Sequence, residues 1–413
     1  MTSRERILAA ISHREPDKVP VDLGATPSSG ISALAYHRLK QHLGLRGGAT
    51  RIYDVVQQLA QPEDDILDRF QIDVVDLGRT FNTRETDWLP IELADGSSAK
   101  YPAWFRPQPT GDGGWKVFAP DGTEIAVMLK DMPFFDQSCF PYLDGYPADY
   151  RDLPAAMAKV HWAALAHSPW DHASEPDFWT QMRQNALELR QRSDRAIMVV
   201  CGCNLFEWGT FLRRMDNFLM DLAAEPGQVE RLLDALMEQH LATLGRVCRA
   251  VGDVVDLVRF GDDLGTVSGA FMSVKTYRQL FKPRHRALCD FVRQNSRMHT
   301  FLHSCGSIHQ YLPDLIDAGL EIINPVQTTC FRMEPAELKR EFGRDITFWG
   351  GGCDTRTVLN RATPAEVAEH VKRRLAIFAP GGGFVFNTVH NILPDVPPEN
   401  VVAMYAAVDA FAG

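Results

Sequence analysis

Met298–Gly306 reads MHTFLHSCG, and Val254–Gly265 before it reads VVDLVRFGDDLG. Each is a short apolar run that ends in a loop carrying Gly with His, Cys or Asp. Near-continuous apolar runs are what strands covered on both faces look like. Moving toward the N-terminus, the pattern recurs at Ala196–Gly202 (AIMVVCG), Asp73–Gly78 (DVVDLG) and Lys18–Gly24 (KVPVDLG). Toward the C-terminus it recurs at Glu321–Gln327 (EIINPVQ), Asp345–Gly352 (DITFWGGG) and Gly383–Ile392 (GFVFNTVHNI). Helically spaced segments separate most of these runs: Gln228–Ala250, Ser273–Gln294, Ile308–Ala318 and Pro364–Phe378. The last opens on a capping Thr363, a Pro at the first helical position and Glu366 as the third. Eight strands alternating with helices predict an α/β fold, the (β/α)8 TIM barrel. A doubly wound sheet is the structural competitor.

The stretch from Arg79 to Leu153 breaks the rhythm. It holds two β-like segments, Gly114–Ala119 and Glu124–Leu129, joined by Pro120-Asp121-Gly122, which is a hairpin signal. Residues 79–153 are therefore expected to be a β-hairpin-containing insertion after strand 2. Residues 1–16 are expected to lead in with a short helix, Arg4–Ser12, and 1–413 to form a single barrel domain.

Composition narrows the function. The chain has 413 residues, and 43 Lys and Arg against 53 Asp and Glu give a formal net charge of −10. Without a basic tract it is a poor nucleic-acid or anionic-membrane binder. Its apolar stretches fall short of the roughly 18–20 residues that span a bilayer. Met1–Arg6 is charged and lacks an apolar core, so no secretory signal is expected. Eight cysteines in so long a chain are too sparse for a disulfide scaffold, which points to a reducing, cytoplasmic setting.

In such a barrel the chemistry sits at the C-terminal strand ends. There the sequence places Asp22, Asp76, Asn204, Glu207, Asp262, Asp263, His303, Cys305, Asn324, Gln327, Cys353, Asn387 and His390. His303 and Cys305, two apart on a strand end, project to the same side. With Cys353 two strands on, they would make an imidazole–dithiolate set suited to zinc, with one position left open. The alternative is three buried strand residues without a metal, since free Cys packs as a small hydrophobe. Glu207 reads either as a fourth ligand or as an acid in a first helical turn, where the helix dipole favours it. Asp262-Asp263 reads as an acid–base pair or as a helix cap. His390 reads as a catalytic or a structural histidine. Asp22, Asp76, Asn204, Asn324, Gln327 and Asn387 are candidates to bind substrate, or to tie down loops. Cys201-Gly202-Cys203 reads as a vicinal thiol pair, as extra ligands or as ordinary strand-end residues. No nucleotide-binding glycine motif follows a strand, and neither GxSxG nor HExxH occurs.

Several stretches together resemble the uroporphyrinogen decarboxylase superfamily, and its zinc-dependent, corrinoid-linked methyltransferase branch. They are Phe260–Thr266, Phe281–Pro283, His303–Ser307, Asn324–Gln327, Phe348–Asp354, His390–Ile392 and Asp395–Asn400. The N-terminal half matches mainly in Arg4–Asp22. The resemblance implies a (β/α)8 barrel and a metal motif mapping onto His303, Cys305 and Cys353, with Glu207 as the acidic fourth candidate. It implies methyl transfer from a small O-, N- or S-methyl substrate to a corrinoid (cobalamin), carried by a separate protein or free. Asp262, Asp263 and His390 would then move protons and orient the substrate. True uroporphyrinogen decarboxylases carry an Arg-rich segment after the first strand, whereas Leu23–Gly30 has no Arg. No corrinoid-binding Asp-x-His-x-x-Gly motif is present. Two alternatives are a metal-free decarboxylase of a small carboxylated substrate and a non-catalytic subunit that docks a corrinoid protein.

Overall fold

The computed structural model describes residues 1–411. At its centre seven strands form one parallel sheet. They are β1 (Val74–Asp76), β2 (Ala196–Gly202), β3 (Leu257–Gly261), β4 (His299–His303), β5 (Ile322–Asn324), β6 (Thr347–Trp349) and β7 (Phe384–Val385). Each pairs in parallel with the next along the chain.

The two edges of this sheet are joined by the extended segment 20–22. Val21 bridges in parallel to Phe386. The Phe386 N–H donates to Pro20 O at 2.8 Å and the Asp22 N–H to Phe386 O at 2.9 Å. On the other side the Asp73 N–H donates to Val21 O at 2.8 Å. The sheet thus curls into a TIM-barrel-like closure, with the Lys18–Gly24 run as its first strand. A doubly wound sheet would have left both edges unpaired.

Side-chain alternation sorts each strand into two faces. Val75, Ile197, Val199, Val258, Phe260, Leu302, Ile323, Phe348 and Phe384 pack outward under the helices. The inward set makes its own cluster: Val74, Ala196, Met198, Leu257, Phe301, Ile322, Trp349 and Val385. Helix α1 (Ser3–Ile11), opened by a Thr2–Glu5 capping box, adds Ile7, Ala10 and Ile11 to that inner cluster and stoppers the lower end of the barrel.

The helical segments follow their sequence signals with two exceptions, one being Ile308–Ala318, which is a 3-10 turn at His309–Tyr311 followed by the short helix Leu312–Asp317. The Thr363–Glu366 capping box opens Pro364–Phe378, and the long helix Pro226–Val251 buries Leu232, Leu233, Leu236, Leu244 and Val247. Ser273–Gln294, expected as one helix, is two: Val274–Leu280 and Lys282–Asn295. Pro283 lacks an N–H and its ring clashes with a carbonyl of the preceding turn, so the helix restarts there.

Between β1 and β2 lie two antiparallel units. Trp88–Glu92 pairs with Ser98–Pro102, and Trp115–Phe118 with Glu124–Met128. Gly122 turns the second hairpin at φ +86°, a left-handed conformation that suits glycine. A further small sheet, Ile31–Ser32, Leu59–Ala60 and Ile52–Asp54, precedes β1. Its Ile52, Val55 and Val56 share an apolar cluster with Ala99, Phe105, Val117, Ile125 and Phe135. Among the described residues no helix is long and apolar enough to cross a membrane.

Candidate active site

One alternation step above the apolar plug, the inward positions turn polar. Val74 is followed by Asp76, Leu257 by Arg259, Phe301 by His303, Ile322 by Asn324 and Val385 by Asn387. Asp22 joins this layer from the closing segment, its Oδ2 accepting from Trp349 Nε1 at 2.8 Å. The same strands that fill the barrel therefore build a polar floor at its mouth.

His303, Cys305 and His390 meet there. Their ligand-capable atoms all lie within 4.8 Å of one another, and Cys305 Sγ is 3.4 Å from His303 Nε2. The two imidazoles stand at 68° with centroids 5.8 Å apart. A chain of hydrogen bonds decides the His303 tautomer. Asn324 Nδ2 donates to Trp349 O at 2.8 Å, which fixes the amide orientation. Asn324 Oδ1 then faces inward, accepting from Ser28 Oγ at 2.7 Å and from His303 Nδ1 at 2.8 Å. The proton sits on Nδ1, and the Nε2 lone pair faces Cys305. An imidazole oriented through its far nitrogen is how proteins present a metal ligand.

Two acids border the cluster. Asp263 Oδ1 accepts the Cys305 N–H at 2.8 Å and lies 3.5 Å from His303 Nε2. Glu207 Oε2 accepts the Asp263 N–H at 3.2 Å and also a hydrogen bond from Asn204 Nδ2. Asn204 fits because Gly261 beside it has no side chain: a Cβ there would fall 2.3 Å from the Asn204 amide nitrogen. Burial, then Asp263 and Asp262, push Glu207 up to about 8. Burial pushes His303 down to about 3 and also lowers His390, so both imidazoles are neutral at pH 7. Burial and the neighbouring carboxylates hold the Cys305 thiol well above its usual value. Two neutral imidazoles, a thiol and two acids form a donor set that a divalent cation would stabilise and deprotonate. It is a candidate metal site whose chemistry fits zinc.

Cys353, expected as the third ligand, is not among these three residues. It lies within the outer core, 3.9 Å from Asp354 O, and Val389 N–H donates to its carbonyl at 2.8 Å. The reason is the preceding glycine run. Gly350 at φ +111° and Gly351 at φ +78° interrupt the in–out alternation that starts at Trp349. His390 takes the place expected for this thiol.

Asp262 also departs from its expected catalytic place. It is fully buried, and both oxygens are taken. Oδ1 accepts the Glu207 N–H at 3.0 Å, and Oδ2 pairs with His285 Nε2 at 3.1 Å. Tyr277 OH holds the other His285 nitrogen at 3.0 Å. Facing the helices, Asp262 is a strut under Glu207, while Asp263, one residue on, faces the mouth. Asp22 is likewise tied down, by Trp349 and by the Ala25 N–H at 3.0 Å. Gln327 Oε1 accepts the Gly306 N–H at 2.6 Å. Asp76 Oδ1 and both amide atoms of Asn387 are buried without a protein partner.

Above this floor opens a cavity of about 390 Å³, lined by Cys305, Gly306, Gln327, Asp354, Arg356 and His390 among others. Sequence reasoning missed two residues of the floor. Arg259 had a visible signal, a lone Arg inside the apolar run VVDLVRF. Tyr53, on the small sheet before β1, had none.

Residues 206–411 match the family model described as uroporphyrinogen decarboxylase (URO-D). The chain belongs to this superfamily. A uroporphyrinogen decarboxylase of Serratia proteamaculans is 28% identical over 193 residues, 46% of this chain and 50% of that protein. One of Hahella chejuensis is 35% identical over 99 residues, 24% of this chain and 26% of that protein. The chain thus spans about half the length, or less, of these curated relatives. A solved methyltransferase from Methanosarcina mazei superposes with a TM-score of 0.56 at 17% identity, covering 99% of this chain and 98% of that one. That likeness is one of fold.

Proposed function

We propose that this superfamily member is a zinc-dependent methyltransferase that moves a methyl group from a small O-, N- or S-methyl substrate to a corrinoid. The observation that carries the proposal is the His303–Cys305–His390 cluster, with its tautomer fixed by Asn324, at the mouth of the barrel. The name of the Methanosarcina mazei structure supports the same direction. These three residues would hold zinc, with Glu207 or Asp263 within reach to complete the set. Bound there, zinc supplies Lewis acidity, stabilising a leaving heteroatom or lowering the pKa of a thiol. The chain's own groups do the rest. Asn324 keeps His303 protonated on Nδ1, and Asp262 fixes the Glu207 backbone. Asp263 and Glu207 are placed to hold or release the proton that accompanies cleavage. Asp76, Asn204, Gln327 and Asn387 border the space for the substrate.

The corrinoid would arrive free or on a separate protein, and the open cleft leaves the reacting methyl group approachable. The working unit is one barrel domain over residues 1–413, with 79–153 as an insertion beside the mouth. A cytoplasmic setting would keep its thiols reduced; all eight cysteines are free.

Metal analysis of purified protein tests this. Wild type should carry about one zinc per chain, and Cys305→Ala should lose it together with methyl transfer. Cys353→Ser should keep the zinc. A metal-free wild type that retains activity overturns the proposal. A metal-independent decarboxylation is then the second reading, favoured by Asp76, whose carboxyl burial pushes up to about 6 and whose Oδ1 has no protein partner.

A further inference from the structure

Arg259 stands inward on β3, between Leu257 of the plug and Gly261 at the rim. Other shielded arginines of this chain are matched. Arg6 pairs with Asp17 and Asp73, Arg190 with Asp256 and Arg213 with Asp221. Among the described residues nothing hydrogen-bonds or ion-pairs with the Arg259 guanidinium, and its Nε is buried without a partner. Glu207 and Asp263 act on it through their charge, but their contacts go elsewhere: to Asn204 and the Asp263 N–H for the first, and to the Cys305 N–H for the second.

Tyr53 repeats the mismatch. Its ring packs edge-on against His167 with centroids 5.4 Å apart. Its hydroxyl is buried and unpartnered, within the electrostatic reach of Arg259 and Asp76. A buried donor without an acceptor is costly, so these two unpartnered groups mark a place built for an acceptor that comes from outside.

We propose that Arg259 and Tyr53 form an anion subsite in the barrel lumen that takes a carboxylate carried by the methyl donor. The planar fork of the guanidinium matches a carboxylate with two parallel hydrogen bonds, and the phenol adds a third. The nearby Asp22, Asp76 and Asp263 select a monoanion, because a phosphate dianion would meet stronger repulsion. This inference rests on the methyltransferase reading for the identity of the ligand as a methyl donor, while the anion preference stands on the lumen alone.

The test is ligand-observed NMR titration with 3-methoxypropionate and its neutral amide, 3-methoxypropionamide, at fixed ionic strength. Wild type should bind the carboxylate about tenfold or more tighter than the amide, as expected for a charge-assisted hydrogen bond. Arg259→Gln should abolish that preference, Arg259→Lys should keep part of it, and Tyr53→Phe should weaken carboxylate binding several-fold. Equal binding of carboxylate and amide by wild type, or an unchanged preference in both Arg259→Gln and Tyr53→Phe, overturns the subsite. If Arg259→Gln does not fold, Arg259→Lys and Tyr53→Phe decide. The zinc measurement separates the two proposals: a carboxylate preference in a protein without metal leaves the subsite standing and removes the methyltransferase reading. Zinc with no carboxylate preference does the reverse.

Discussion

The lumen of this barrel has two storeys built by the same strands, two residues apart. The lower is apolar, with Leu257, Phe301, Ile322, Trp349 and Val385 interdigitating over α1. The upper holds Arg259, His303, Asn324 and Asn387, with Arg259 and Asn387 short of partners. The lower storey is filled and satisfied. The upper one is buried almost as deeply but is chemically incomplete. Because alternation fixes which residues face inward, a shift of two residues along a strand moves a position from packing to chemistry.

Substitutions that exchange the character of the storeys should have unequal effects. Trp349→Ala should be the most severe, destabilising by about 3–5 kcal/mol, because it empties the plug and frees Asp22 from its indole partner. Urea unfolding measures this, and a loss under about 1 kcal/mol would mean that the lower storey is not close-packed. Asn324→Ala should leave the fold standing and weaken zinc binding roughly 10–100-fold, the usual consequence of losing the partner that orients a ligating histidine. Competition with a chromophoric chelator reads this out, and unchanged affinity would show that Nδ1 needs no acceptor.

The third effect depends on pH. Burial raises Asp22 and Asp76 to about 6, against about 3.9 for an unfolded Asp. Between these values the native state holds protons that the unfolded chain has released. Stability is therefore full at low pH and falls as pH rises through that window, by up to about 1.4 kcal/mol per unit and group. Asp76→Asn should flatten its share of the slope in unfolding curves taken across the window; an identical slope in variant and wild type would refute the assignment. The mildest change lies outside the lumen. Thr363→Ala removes a helix cap, which should lower stability by about 1 kcal/mol and leave zinc affinity untouched. A change in affinity there would mean that the site is coupled to the helix layer.

The barrel was legible because each strand is a separate apolar run with its own terminating loop. The runs at Ala196–Gly202 and Pro364–Phe378 coincide with the observed elements. The small sheet carrying Tyr53 was not legible, since its strands are only two or three residues long and show no periodicity. The hairpin Trp88–Pro102 was not expected, although Asp95-Gly96 is a turn signal. In the site, the His303–Cys305 pair can be derived from strand alternation alone. Cys353 cannot, because left-handed glycines just before it reset which way the chain faces. Whether Asp262 or Asp263 faces the mouth turned on a single residue of register.

The closing contact between Val21 and Phe386 also has a consequence for how the chain is made. The first strand of the barrel finds its last neighbour, Phe386, only after all the intervening strands have left the ribosome. Until then β1 lacks a completed ring around it, and the α1 stopper has only part of its socket. Such long-range closure folds slowly and leaves sheet edges open to wrong partners in the meantime. Nascent chains stalled before the final strand would be the form most dependent on chaperones.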